Sequence, residues 1–207
     1  MKRKFLFGMG CLFLILSSSI VFAESQGLYI GGRLGACFLN DSTLSEEGVA
    51  LTVETEFDTG MVLEGAVGYD FGMFRAEGEI GYRKNDVDKF SAFGLSVEGN
   101  GDVDTLSFMI NGYFDIETQS GLTPFIGAGI GYAKISANDW SVGGIDIGSE
   151  DDSVFAYQLG LGLGYSVTKN WIIDIAYKYF ATEDPDFEGT EAEYDSHNIT
   201  IGFRYAF

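Results

Sequence analysis

Between residues 155 and 167 the chain reads FAYQLGLGLGYSV. Every second residue is large and apolar: Phe155, Tyr157, Leu159, Leu161, Leu163, Tyr165 and Val167. The residues between them are small or polar: Ala156, Gln158, Gly160, Gly162, Gly164 and Ser166. Side chains of a strand alternate between two faces, so the pattern predicts a strand with one wholly apolar face. A soluble sandwich strand alternates too, but its usual length is five or six residues. The length here suits the roughly 9–11 residues that a tilted strand needs to cross a bilayer, with aromatic rings at both ends of the apolar row.

Seven more stretches carry the same period. Residues 28–38 place Leu28, Ile30, Leu34, Ala36 and Phe38 on one face and Tyr29, Arg33 and Cys37 on the other. Residues 59–71 place Met61, Leu63, Val67 and Tyr69 outward and Glu64 inward. Residues 74–83 place Phe74, Ala76, Ile80 and Tyr82 outward, with Arg75, Glu77, Glu79 and Arg83 inward. Residues 105–116 set Leu106, Phe108, Ile110 and Phe114 against Ser107, Asn111, Tyr113 and Asp115. In residues 124–135, Ile126, Ala128, Ile130 and Tyr132 are placed outward and the glycines inward. Residues 171–180 put Trp171, Ile173, Ile175, Tyr177 and Tyr179 outward, with Asp174 and Lys178 inward. The last strand puts Ile199, Ile201, Phe203, Tyr205 and Phe207 outward, with Asn198, Thr200 and Arg204 inward.

The links alternate as well. Short ones fall near 70–73, 117–123 and 168–170, and long ones cover 39–58, 84–104, 136–152 and 181–195. Short turns at one end and long loops at the other are the arrangement of an outer-membrane barrel. Closure follows because an open sheet edge in hydrocarbon leaves backbone groups unpaired. The predicted fold is all-β, an eight-stranded antiparallel up-and-down transmembrane barrel.

Composition sharpens this reading. Lys2, Arg3 and Lys4, then a mostly apolar stretch over 5–22 and the ending Val21-Phe22-Ala23, predict a signal peptide over 1–23, leaving one barrel domain over 24–207. The mature part then holds 9 Lys+Arg against 31 Asp+Glu, which speaks against nucleic-acid binding. Its one cysteine, Cys37, excludes an internal disulfide framework. The long links hold 23 of the 31 acids, with Lys84, Lys89 and, at the margin, Lys134 as their basic residues.

The inward positions are close to neutral: Arg33, Arg75, Arg83, Lys178 and Arg204 against Glu64, Glu77, Glu79, Asp115 and Asp174. An eight-stranded barrel is just wide enough for side chains to fill it. Charges there are tolerable only when paired. A plug of salt bridges is therefore the leading reading of the interior. The alternative is a narrow pore for small solutes, for which the inward glycines (Gly31, Gly35, Gly68, Gly81, Gly160, Gly162, Gly164, Gly202) leave some room.

The segments TPFIGAGIGYAKI, FAYQLGLGLGYSVTKNWIIDIAYKYF and HNITIGFRYAF, within residues 123–207, resemble the small outer-membrane β-barrels of the bacterial surface-antigen type, with their rickettsial-type, opacity-like and OmpA-like members. The resemblance continues more loosely to Leu28. It implies a Gram-negative outer-membrane location, a cleaved signal peptide, and contact with outer-membrane lipid and lipopolysaccharide. It also implies that the final strand is read by the barrel-assembly machinery, with Thr200, Gly202, Tyr205 and Phe207 in the positions of that signal. No peptidoglycan-binding domain is expected after Phe207. Such families serve adhesion, immune recognition, envelope integrity or weak porin activity, through loops that match no motif here.

Candidate chemistry is sparse. His197, the only histidine, is placed outward near the rim of the last strand. Lipid A deacylase barrels pair a histidine with a serine two residues on, where this chain has Ile199, and Ser196 points to the opposite face. No catalytic residue, cofactor or metal site is assigned, and an enzyme is not expected. The acid runs at 149–153 and 182–189 raise divalent-cation binding, but they lack EF-hand spacing and such runs are more often simply solvated. Cys37 is expected as an inward, unpaired thiol. The expected function is display of acidic surface loops, with a structural or adhesin-like role and an extracellular ligand reached through the loops.

Overall fold

The computed structural model describes residues 26–40, 42–46, 52–92, 95–118, 120–142, 145–187, 190–192 and 194–207, so the leader expected over 1–23 lies outside the described residues. Twelve strands follow in chain order: β1 (Gly27–Leu39), β2 (Ser42–Glu46), β3 (Thr52–Phe57), β4 (Gly60–Asp70), β5 (Phe74–Ala92), β6 (Leu95–Asp115), β7 (Leu122–Val142), β8 (Ile145–Ser166), β9 (Trp171–Thr182), β10 (Asp186–Phe187), β11 (Thr190–Ala192) and β12 (Asp195–Ala206). Eight of them close a ring of antiparallel neighbours in the order β1, β4, β5, β6, β7, β8, β9, β12 and back to β1. The expected eight-stranded antiparallel barrel is present.

Alternation builds the wall. Along β4 and most of β9, exposed and buried residues alternate. The exposed row is the apolar one, including Ile110 at 73 % and Tyr132 at 67 %. An apolar band of this size does not face water on a soluble protein. Its fit to hydrocarbon explains why the polar row turns inward. The phase assigned to 126–132 holds, with Ile126, Ile130 and Tyr132 outside and Phe125 buried.

Strand pairing fixes the barrel's dimensions. Moving sideways from Tyr29, paired residues run through Gly68, Glu77, Asn111, Gly129, Gln158, Phe180 and Ser196, and return to β1 at Leu39. The stagger is thus ten residues, from 29 to 39. With about 3.3 Å per residue and about 4.8 Å between strands, this inclines the strands by about 40° and sets a backbone radius of about 8 Å. Side chains can fill such a cylinder.

Both termini of the barrel lie at the short-turn end. Ala206 donates its N–H to Asn170 O at 2.9 Å, and Phe207 N–H donates to Leu28 O at 3.1 Å. The 70–74 turn is closed by Phe71 N–H donating to Phe74 O at 2.8 Å. Gly72 adopts φ +101°, a conformation costly for other residues, and donates its N–H to Asp70 Oδ1 at 2.7 Å.

At the opposite end the strands overrun the sequence reading. Residues 84–104 and 136–152 were expected as links, yet β5 and β6 stay paired up to Ala92↔Leu95, and β7 and β8 up to Val142↔Ile145. Past the hydrocarbon the outward row no longer has to be apolar, so the alternation that marks a wall strand fades from the sequence while the backbone ladder continues. The link 39–58 likewise contains β2 and β3, with β3 pairing onto the outer part of β5, and β11 and β10 extending the sheet beyond β2.

Candidate functional site

The parity that faces lipid on one side gathers charge on the other. Arg33, Glu64, Arg75, Glu77, Glu79, Arg83, Asp115, Asp174, Lys178 and Arg204 all point into the barrel, none more than 4 % exposed. They form three groups stacked along the axis. Nearest the short turns, Arg75 Nε and Nη2 donate to Asp115 at 2.5 and 2.9 Å, and Arg204 Nε and Nη2 donate to Asp174 at 2.8 and 3.0 Å. Both are two-point guanidinium–carboxylate pairs, the geometry for which arginine is suited. The Arg75 guanidinium also lies 4.6 Å from the Tyr113 ring centre and 5.1 Å from that of Phe125.

The middle group is a mesh. Arg33 donates to both oxygens of Glu77 at 3.0 and 2.9 Å and to Glu79 at 3.3 Å. Lys178 Nζ bridges Glu64 and Glu79 at 2.7 and 2.6 Å. Tyr29 OH donates to Glu77 at 2.9 Å, and Gln158 and Asn111 amides donate to Glu79 at 3.1 and 3.3 Å. The outer group is Arg83, which donates to Ser107 Oγ at 3.0 Å, stands 3.8 Å from Glu64 and lies 3.9 Å over the Phe180 ring. Arg33, Arg83 and Lys178 thus balance Glu64, Glu77 and Glu79. Charge balance is what makes so much buried charge tolerable, since an unmatched one costs several kcal/mol.

The glycine row does not open a channel. A Cβ on Gly68 would run into the Tyr29 ring, one on Gly127 into Tyr113 and one on Gly162 into Phe125, while Gly164 would meet Arg204 Nη2 at 2.9 Å. These four glycines accept neighbouring side chains lying across the wall, whereas at Gly35 a Cβ would meet the backbone of Ile199. A gap of about 10 Å³ beside Asn111, Tyr113, Gln158 and Lys178 has the volume of about one water. Beyond Arg83 the barrel is sealed by an apolar cluster of Leu39, Val103, Met109, Ala133, Ile135, Ala156, Phe180 and Tyr194.

Sequence reasoning missed this seal, although Leu39, Val103, Met109, Ile135 and Phe180 all keep the inward phase of their strands. It also missed Asp70, a further buried acid at the short-turn end, and the network roles of Tyr29, Asn111, Tyr113 and Gln158. Inward parity alone was the available signal for all of them.

The four positions of the expected assembly signal divide by face. Thr200 is buried and Gly202 lies against Arg33, whereas Phe207 is 69 % exposed. The Tyr205 ring stands between Trp171 at 5.0 Å and Phe207 at 5.3 Å. Asn170 Nδ2 also donates to Ala206 O at 2.7 Å, fastening the strand end to the 168–170 turn.

His197 lies on the lipid side. Its Nδ1 shares a 2.6 Å hydrogen bond with Tyr177 OH, and its ring packs 5.4 Å from Tyr179. Ser196 is fully buried on the opposite face. Cys37 is buried and free. Among the described residues no three His, Cys, Asp or Glu side chains gather as metal ligands. Asp151 of the first acid run pairs with Lys134 at 2.9 Å, and the side chains at 186–189 lie outside the described residues.

A closed barrel with a lipid-facing apolar wall, a filled polar interior and short turns at one end defines a small outer-membrane barrel. The chain belongs to the outer membrane protein β-barrel domain family, which it matches over residues 9–207. It is 31 % identical to the outer membrane protein PagN of Salmonella typhimurium, over 94 % of this chain and 95 % of that protein. It is 27 % identical to an adhesin candidate of Rickettsia akari, over 92 % of this chain and 93 % of that protein. In fold it is similar to the neisserial surface protein A crystal structure, with a TM-score of 0.58 at 19 % identity, over 87 % of this chain and 97 % of that one. The protein is an integral protein of the Gram-negative outer membrane.

Two measurements test the interior. Lys178→Met leaves Glu64, Glu77 and Glu79 with Arg33 and Arg83 as their only cations among the described residues, and should lower unfolding stability in lipid vesicles by about 3–5 kcal/mol, with part regained on adding Glu79→Gln. The purified barrel in planar bilayers should give no steady conductance; stable single-ion channels would show that the interior is open.

Proposed function

We propose that the barrel serves as a membrane-anchored stalk that presents an acidic outer sheet as an adhesive surface, and that it carries out no catalysis. The observation carrying this reading is the pairing of a filled, sealed interior with wall strands that run on past the membrane as hairpins. A pore protein needs the interior, and a displayed binding surface needs the extension. The similarity to an adhesin candidate supports the same direction. Because the long links carry most of the acids, the extracellular ligand is read as a cationic surface, with attachment weakening as ionic strength rises.

Cells displaying the protein should bind a cationic matrix or host-cell surface more than cells without it. Shortening the hairpins around 84–104 and 136–152 should abolish the gain while leaving the barrel in the membrane. Binding unchanged by both truncations would overturn the reading.

Export by the 1–23 leader and insertion by the barrel-assembly machinery belong to the same proposal, with Thr200, Gly202, Tyr205 and Phe207 as the signal. Support comes from the outward placement of Phe207 and Tyr205 beside Trp171, at the strand end where the ring closes. Deleting Phe207 should reduce outer-membrane levels several-fold in cells; normal levels would refute the role.

A further inference from the structure

Lipid meets this barrel at a rim that is not uniform around its circumference. Just above the outward rings of Tyr82 and Tyr132, on the lipid side of the wall, stand Lys84 of β5 and Lys134 of β7, their side chains 39 % and 50 % exposed. Among the described side chains these are the only lysines or arginines at the outer rim; elsewhere on its lipid side the charged groups include Glu183 and Asp195. Between the two lysines lie Asp102 and Asp104 of β6. Lys84 Nζ is 3.1 Å from Asp102 and 4.0 Å from Asp104. Asn138 Nδ2 donates to both carboxylates at 3.3 and 3.1 Å, and Tyr82 OH donates to Asp104 at 2.8 Å. Lys134 Nζ sits 2.9 Å from Asp151.

We propose that this collar on β5–β7 docks a zwitterionic lipid headgroup of the outer leaflet, one that carries a phosphate and a primary ammonium side by side, the phosphoethanolamine class. Charge complementarity selects it. A headgroup bearing phosphate alone meets three carboxylates, and one bearing ammonium alone meets two lysines. A group holding both charges a few ångströms apart satisfies each: phosphate oxygens accept from Lys84 and Lys134, and the ammonium donates to Asp102 and Asp104. Exposed ion pairs of this kind add little stability on their own, so exchanging partners with a lipid is easy. Asn138 and Tyr82 hold the two carboxylates in place before the lipid arrives, which lowers the ordering cost. Position supports the same occupant, because ammonium and carboxylate groups directly above an aromatic girdle stand at headgroup depth.

The test uses the whole barrel in nanodiscs of phosphatidylcholine doped with equal fractions of phosphatidylethanolamine or phosphatidylglycerol, with co-purifying lipid counted by native mass spectrometry. Phosphatidylethanolamine should be retained about tenfold over phosphatidylcholine, whose quaternary ammonium donates no hydrogen bond, and over phosphatidylglycerol, which has no ammonium. Lys84→Gln with Lys134→Gln, and separately Asp102→Asn with Asp104→Asn, should each remove that preference in barrels whose gel mobility still shifts on heating. Equal retention of all three lipids overturns the proposal. So does retention of phosphatidylglycerol matching that of phosphatidylethanolamine, or a preference that survives both double substitutions.

Discussion

A peptide group in hydrocarbon has no water to turn to, and each unpaired N–H or C=O there costs several kcal/mol. Most other features follow from that constraint. The β1 strand must find β12, because any free edge within the bilayer would leave a row of such groups unpaired, and the register Tyr29↔Ala206 to Leu39↔Ser196 supplies the closure. Closing eight strands with a ten-residue stagger fixes a narrow cylinder, and the narrow cylinder forces every inward side chain to be reconciled with its neighbours. Glycines sit where rings must lie flat, and arginines sit where carboxylates can meet them.

Two environments act on alternate residues of the same strand. Outside, oily side chains cost nothing in lipid and a charge would cost roughly 2–4 kcal/mol at mid-depth. Inside, polar side chains are confined with one another, so matched charge replaces hydration. The apolar cluster around Phe180 and Tyr194 closes this polar column from the outer water. Above it the same strands leave the membrane and become a soluble, acidic sheet. Anchor and display surface are thus one continuous ladder, with the change of solvent written into the side chains.

The wall was legible in the sequence because hydrocarbon demands an unbroken apolar row. Residues such as Leu159, Leu161 and Leu163 state the phase with little ambiguity, and the phase then assigned Arg33, Glu64 and Lys178 to the interior. Which charges pair was not legible: Lys178 reaches Glu64 and Glu79 from strands more than ninety residues away in sequence. The seal escaped because an apolar residue in the inward phase, such as Met109, looks like a lapse in a polar row. The outer hairpins escaped because strands in water need no apolar face, so residues 84–92 read as a loop although their backbones pair. The rim collar escaped for a related reason, since Lys84, Asp102 and Asn138 come together only through the register of three strands.

The most direct measurement places nitroxide labels one at a time from Leu106 to Asp115 on β6 and records their collisions with oxygen, which concentrates in lipid, and with a water-soluble metal complex. The account predicts a period of two, with Leu106, Phe108, Ile110 and Phe114 open to oxygen and shielded from the complex, and with Ser107, Asn111 and Tyr113 shielded from both. Free access of the water-soluble complex to Phe108 and Ile110, or oxygen protection along the whole strand, would mean that protein or water covers the apolar row.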